Sequence, residues 1–319
     1  MPLPTDDKLL ALSQRILEQF DAVFGLHPGF RPAHAKGMML SGTFTPSPQA
    51  ASLTRAPHMM RPSTPVSVRF SDSTAIPVIP DNDPHADPRG CAIRFHLAER
   101  SHTDIISHST DTFLARNGEE FLAFLQAIAA SDLTKPSDPA NPSPLEKFLG
   151  SHPATLAFVQ APKPPPSSFA RETYFAVTAY QFINQAGATR FGRYRIVPAD
   201  GNDRLAPAAA AAKTPDYLFD ELRQRVARVP IVFQLIVQLA NPGDIVNDAT
   251  IHWPADRPTL ELGTITLTHP VANDAAEQKQ IIFDPIPRID GIEPSADPLL
   301  ELRAAIYLLS GRRRRAAGV

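Results

Sequence analysis

The chain reads as an α+β protein: an antiparallel β-barrel with surrounding helices and long wrapping loops. Three observations predict it. Runs rich in β-branched and aromatic residues recur along the chain between turn and proline signals. Helical periodicity is confined to a few stretches flanking these runs, which places helices outside a β core. The 34 prolines against 15 glycines force much of the chain into ordered irregular segments, because helix and sheet interiors exclude proline. With 319 residues, 43% of them apolar, one large core can be buried. No internal repeat and no shift in composition divides the chain, so a single domain over 1–319 is expected.

In chain order, Thr5 offers an N-cap ahead of Leu9, Leu12, Ile16, Phe20 and Val23. Their three- and four-residue steps predict an amphipathic helix over about 5–24, docked on the body. Strands are predicted at 66–70, 92–97, 174–183, 189–197, 231–239 and 264–267. The stretch Asn184-Gln185-Ala186-Gly187 reads as a hairpin turn, with Gly187 free to take a positive φ. Helical patterns stand at 118–128, 216–226 and 298–309. The last has Asp297 as N-cap, Pro298 at the first helical position and Gly311 as its stop, which predicts a helix over about 298–311. The proline-rich stretches 135–144 and 161–168 read as surface connections.

A formal net charge of -2 gives no general attraction for nucleic acid or an anionic membrane. Cys91 is the single cysteine, so neither an intramolecular disulfide nor a cysteine cage for zinc is available. The first residues carry acidic groups among their leucines, unlike the basic and apolar regions of a secretory signal, and no stretch is apolar enough to span a bilayer. A cytoplasmic location is expected.

Arg303 and Tyr307 stand four residues apart on the last helix. A guanidinium there can lie against the phenolic oxygen and favour tyrosinate, a ligand for ferric iron. Taken alone, such a pair usually does no more than pack and hydrogen-bond. The run Arg312-Arg313-Arg314-Arg315 is either a solvated face or, beside a ligand helix, a source of bidentate anion contacts. Near the other end, Phe30-Arg31-Pro32-Ala33-His34-Ala35-Lys36-Gly37 sets a histidine three residues after an arginine. Val68-Arg69-Phe70-Ser71 offers another arginine on a strand, with a hydroxyl at its end that can orient an imidazole. Asp81-Asn82-Asp83-Pro84 followed by Asp87 has the acidic spacing of a calcium loop. It lacks the glycine of the sharp turn and the closing glutamate, so calcium is not expected.

Taken in order, these segments resemble the catalase superfamily, and within it the short catalase-related peroxidases. Residues 31–37 look like the distal-histidine motif, 68–71 like the strand that supports that histidine, and 87–95 like the strand that follows. Residues 247–254 resemble a later family segment, and Arg303 to Tyr307 the Arg-x-x-x-Tyr ligand motif. The resemblance spans about 24–315. It implies a β-barrel of the catalase type holding haem b (iron protoporphyrin IX), with tyrosinate as the axial ligand. Carried over residue by residue, His34 is the distal acid/base, Ser71 its orienting partner, Tyr307 the iron ligand and Arg303 the partner of the tyrosinate. Arg31, Arg69 and Arg314 match positions that pair with the haem propionates, Arg314 lying seven residues after Tyr307 as in the family.

Two departures from the family pattern stand out. The chain ends soon after Arg315, where ordinary catalases continue into a helical region that helps form a dinucleotide site, so no NADPH is expected. The place of the family's distal asparagine, aligned on Phe113 and Arg116, holds Ser109, which argues against efficient dismutation. The resemblance therefore implies a haem-dependent peroxidase that uses hydrogen peroxide or organic hydroperoxides to oxidise small organic donors through a ferryl intermediate, with weak catalase activity. Its implied partners are a peroxide, a small organic electron donor and a second copy in a homodimer. A small true catalase, a fatty-acid hydroperoxide rearrangement enzyme and a non-catalytic haem or ligand-binding barrel remain alternatives.

Overall fold

A computed structural model describes residues 4–99 and 101–318. Its strands are β1 (Gly37–Pro46), β2 (Thr64–Ser71), β3 (Gly90–Ala98), β4 (Ser101–His108), β5 (Tyr174–Phe175), β6 (Tyr180–Ile183), β7 (Thr189–Pro198), β8 (Ile231–Leu239), β9 (Thr259–Pro270) and β10 (Ile292–Pro294). They pair in the order β10-β6-β7-β5-β4-β3-β2-β1-β9-β8, and β8 pairs back onto β7. That last pairing closes the ring β1-β2-β3-β4-β5-β7-β8-β9, which removes free strand edges. The registers that join these strands are antiparallel, for example Phe70 opposite Cys91 and Ile93 opposite Ile105.

Alternation along the strands decides what each face carries. Val66, Val68 and Phe70 of β2 and Cys91, Ile93 and Phe95 of β3 point into the barrel, where they meet Phe44, Phe233 and Ile265. The intervening residues Arg69, Ser71, Ala92, Ile106 and His108 face outward onto a cavity. At the β8–β9 bulge, Gly263 has φ 151° and runs so close to β1 that a Cβ would lie 2.3 Å from the Thr45 carbonyl oxygen. Glycine there lets the ring close.

Helices cover the outward face as a second layer. The N-terminal helix (Asp7–Phe24) buries Ile16, Leu17 and Phe20 against Leu122 and Leu125 of a helix spanning Gly118–Ala129. Both pack on Leu299, Leu302 and Ile306 of the C-terminal helix (Pro298–Ala316). Asp297 caps that helix by accepting from the Leu299 N–H at 2.9 Å.

The predicted elements are present, with differences that have physical causes. The first helix is capped by Asp6, whose carboxylate accepts from Lys8 N and Leu9 N, and not by Thr5. Gly311 does not stop the last helix, which continues to Ala316. Its missing side chain serves packing instead, since a Cβ there would come 2.3 Å from Ile282 Cδ1. The run predicted as one strand at 174–183 is two, β5 and β6, separated at 176–179. Strands β1 and β4 were not predicted, because Gly37, Gly42 and Pro46 interrupt the first and the second hides Thr103 and Ser107 among its buried residues. The stretch 135–144 is largely exposed and ends in a capping box, Ser143 with Glu146, that starts a helix over Pro144–Ser151. Among the described residues, no helix is long and apolar enough to cross a membrane.

Candidate functional site

Between the outer face of β2–β4 and the C-terminal helix lies a cavity with about 230 Å³ of space open to the centre of a water-sized sphere. Apolar side chains dominate its wall, among them Phe20, Phe113, Phe121, Val177, Leu299 and Ile306. Its polar lining is concentrated in a few groups, an arrangement typical of cofactor sites.

On the barrel side stands His34. Its backbone is left-handed, φ 55°, a conformation that costs a non-glycine residue about 1–2 kcal/mol and clusters at functional sites. Arg69 holds it there, donating Nη2 to the carbonyls of His34 at 2.9 Å and Ala35 at 3.2 Å. The ring is fixed by Ser71, whose Oγ lies 3.1 Å from His34 Nδ1. Gly90 leaves room for both, because a Cβ there would sit 2.4 Å from Ser71 Oγ and 2.8 Å from His34 Nδ1. Burial, then the Arg69 charge, push the His34 imidazole down to about 4, against an upward pull from a backbone hydrogen bond at Asp72. The ring is therefore neutral at pH 7.

Facing it across the cavity, Arg303 Nε donates to the Tyr307 hydroxyl at 3.2 Å. Burial opposes the charge on Arg303, but Tyr307 and Tyr180 more than offset it and raise its pKa.

At the rim, Arg31, Arg69 and Arg314 converge. Arg69 Nε donates to Gln278 Oε1 at 2.7 Å, Arg314 to the carbonyls of Lys279 and Ile281, and Arg31 to the Ile281 carbonyl at 3.2 Å. None of the three forms an ion pair among the described residues. Burial, then neighbouring guanidinium charge, lowers their pKa values: Arg69 to about 9, with Arg314 next in order, Arg31 well below its ordinary value, with Arg69 and Arg314 next, and Arg314 to about 10, with Arg315 next. Buried cations lacking carboxylate partners call for an anionic ligand.

These groups fit a haem. The guanidinium cluster suits two propionates, the apolar wall suits the macrocycle, and the Arg303–Tyr307 pair offers a phenolic oxygen of the kind that can ligate iron.

Residues 29–319 match the catalase family profile. The chain belongs to the catalase family. This catalase-family chain is 33% identical over 300 residues to the catalase-related peroxidase of Synechococcus elongatus, covering 94% of this chain and 88% of that one. It is 33% identical over 293 residues to the catalase-related peroxidase of Mycolicibacterium paratuberculosis, with coverage of 91% and 90%. Among solved structures, a bacterial catalase matches at TM-score 0.77 and 24% identity, over 99% of this chain and 62% of that one. Catalase A from Saccharomyces cerevisiae matches at TM-score 0.77 and 21% identity, over 98% and 65%. The chain thus spans less than two thirds of the length of those catalases. Membership of the catalase family implies a haem cofactor.

Of the residues singled out in the sequence, His34, Ser71, Arg31, Arg69, Arg303, Tyr307 and Arg314 surround this one cavity. The four terminal arginines separate: Arg314 is buried at the cavity, Arg313 pairs with Asp21, and Arg312 and Arg315 are exposed. Ser109 is the correction. It is not among the cavity residues; its Oγ accepts from Arg89 N at 2.9 Å and its own N–H donates to the Arg89 carbonyl. The preceding residue, His108, lines the cavity instead. The reason is local: β4 ends at His108, and the two hydrogen bonds to the Arg89 backbone hold Ser109 beyond the strand end, away from the cavity. Residues 247–254 brace this loop, with Ala249 O accepting from Phe113 N. The acidic stretch near 81–87 is engaged in ion pairs, Lys36 with Asp81 at 2.5 Å and Arg89 with Asp87 at 3.0 Å. Gln278, Gly37 and Gly90 were missed; each acts by positioning Arg69, Ser71 or His34, and no local pattern signals that.

Proposed function

We propose that the protein is a haem b peroxidase that reduces hydrogen peroxide or an organic hydroperoxide at the expense of small organic donors. The observation that carries this reading is the opposition, across one apolar cavity, of a neutral His34–Ser71 pair and an Arg303–Tyr307 pair beside carboxylate-free guanidiniums. Tyr307 would hold the iron as tyrosinate, and Arg31, Arg69 and Arg314 the propionates. When bound, the haem supplies the iron that holds the peroxide and the electrons that break its O–O bond. With Nδ1–H donated to Ser71 Oγ, His34 keeps the Nε2 lone pair for the cavity. It takes the proton from one peroxide oxygen and returns it to the other, which leaves as water or an alcohol. Two donor molecules, each losing one electron and one proton, balance the reaction and release the remaining peroxide oxygen as water.

The decisive experiment is haem loading of Tyr307→Phe, which keeps the packing and removes the proposed ligand. The variant is expected to fold, as read by circular dichroism, and to lose or greatly weaken haem uptake, as read by the Soret band. An unchanged ferric spectrum would remove Tyr307 from the iron.

A further inference from the structure

We propose that His108 is a second catalytic residue of this cavity, its Nε2–H serving as a fixed hydrogen-bond donor to the peroxide beside His34. The inference rests on the haem-peroxidase reading above and adds a residue to it.

Three observations converge. His108 ends β4 on the outward face and lines the same cavity as His34. Its tautomer is dictated by its neighbours: the Thr110 backbone N–H donates to His108 Nδ1 at 3.3 Å, and Thr110 Oγ1 lies 2.7 Å from the same nitrogen. A backbone N–H can only donate, so Nδ1 is the acceptor and the proton of the neutral ring resides on Nε2. That Nε2 is buried and has no hydrogen-bond partner among the described residues. Buried donors in folded proteins are almost always satisfied, so an orphan at the wall of a ligand cavity points to a ligand that satisfies it.

The ring is neutral as well as oriented. Burial first, then His34 and Arg303, push its pKa down to about 3, which removes it as a base at neutral pH. The two imidazoles are therefore complementary. His34 presents a lone pair that can receive a proton, and His108 presents an N–H that cannot leave. As His34 removes the peroxide proton, negative charge develops on the oxygens, and a donor already aimed and desolvated stabilises that charge without reorganising. Phe113, with its ring centroid 6.4 Å from that of His108, limits how far the imidazole can swing.

The test uses the haem-loaded full chain with fluoride as the probe, titrated at pH 7 and read from the ferric absorption spectrum. Bound fluoride accepts hydrogen bonds but undergoes no turnover, so the readout is independent of activity. His108→Leu is expected to weaken fluoride about tenfold, the scale of one hydrogen bond to a charged group. His108→Gln, whose amide N–H reaches about as far as Nε2–H, is expected to return affinity to within about threefold of wild type. Thr110→Val, which removes one contact holding the tautomer, should fall between. Wild-type affinity in His108→Leu would overturn the proposal, as would His108→Gln binding no better than His108→Leu. If His108→Leu loads no haem, His108→Phe, which keeps a ring and removes the donor, is read in its place against the same two criteria. A wild-type chain that takes up no haem overturns this proposal and the peroxidase reading together, whereas normal haem loading with unchanged fluoride affinity sinks His108 alone.

Discussion

At His34 the backbone is turned left-handed, φ 55°, and its carbonyl is held by a buried arginine whose own guanidinium lines the cavity. One side chain, Arg69, thus fixes the histidine and presents positive charge at the rim. Burial and that charge depress the His34 pKa to about 4, which sets a pH dependence. An ordinary histidine loses its function as a base below about pH 6.5, whereas this one should keep its lone pair until the pH falls through about 4. The rate of the first step with peroxide, followed by stopped-flow absorbance, is expected to stay level from pH 8 to about 5 and to fall below that. A midpoint near 6.5 would mean that the imidazole is open to solvent. That His34, Ser71 and Tyr307 belong together was legible because each sits in a spaced local motif, and all three line the one cavity. Ser109 does not line the cavity because β4 ends one residue before it and its hydroxyl is engaged by the Arg89 backbone, which alignment on Phe113 and Arg116 does not reveal.

The pairing of β2 with β3 builds the His34 side of the cavity. Ser71 lies opposite Gly90 at the end of the ladder, and the missing side chain of Gly90 makes the space in which Ser71 Oγ and His34 Nδ1 meet. Gly90→Ala would place a Cβ 2.4 Å from the first and 2.8 Å from the second. His34 must then shift, while Tyr307 and Arg303, on a different element, stay in place. The variant is expected to load haem normally and to react with peroxide some tenfold to a hundredfold more slowly, the scale on which misplacement by an ångström acts. Equal rates in matched stopped-flow runs would show that the histidine tolerates displacement. Elements with clean alternation, such as β2, β3, β7 and β8, were readable from the sequence. β1 and β4 were not, because glycine, proline and buried hydroxyl residues stand where the pattern calls for apolar side chains, and only the closed ring supplies their partners.

The whole molecule works as a rigid barrel with a cavity clamped against its outer face by the C-terminal helix. Arg31 comes from the segment before the barrel, Arg69 from β2 and Arg314 from the last turns of the chain, so closing the fold drives three cations together. Only the family resemblance groups these three arginines in the sequence; no local pattern does, since they are separated by up to 283 positions in numbering, Arg31 to Arg314. Charge buried without a counterion destabilises the protein alone and is neutralised when a dianionic ligand arrives, which couples cofactor binding to stability. Arg31 shows this conflict most: burial, Arg69 and Arg314 lower its pKa against a smaller upward pull from Asp274 and Tyr307, and its single hydrogen bond, at 3.2 Å to the Ile281 carbonyl, is long. Arg31→Met keeps an unbranched chain in the same space and removes the charge. The haem-free variant is expected to melt about 1–2 °C above the haem-free wild type, as about 1 kcal/mol would produce in a chain of this size. Its haem affinity should fall roughly tenfold, as expected for a lost charge-assisted contact to a carboxylate. Melting by circular dichroism and competitive haem transfer read the two effects on the same preparations. Opposite signs would establish that the cluster is held in store for an anionic cofactor; a variant less stable in both forms would show that Arg31 serves the fold.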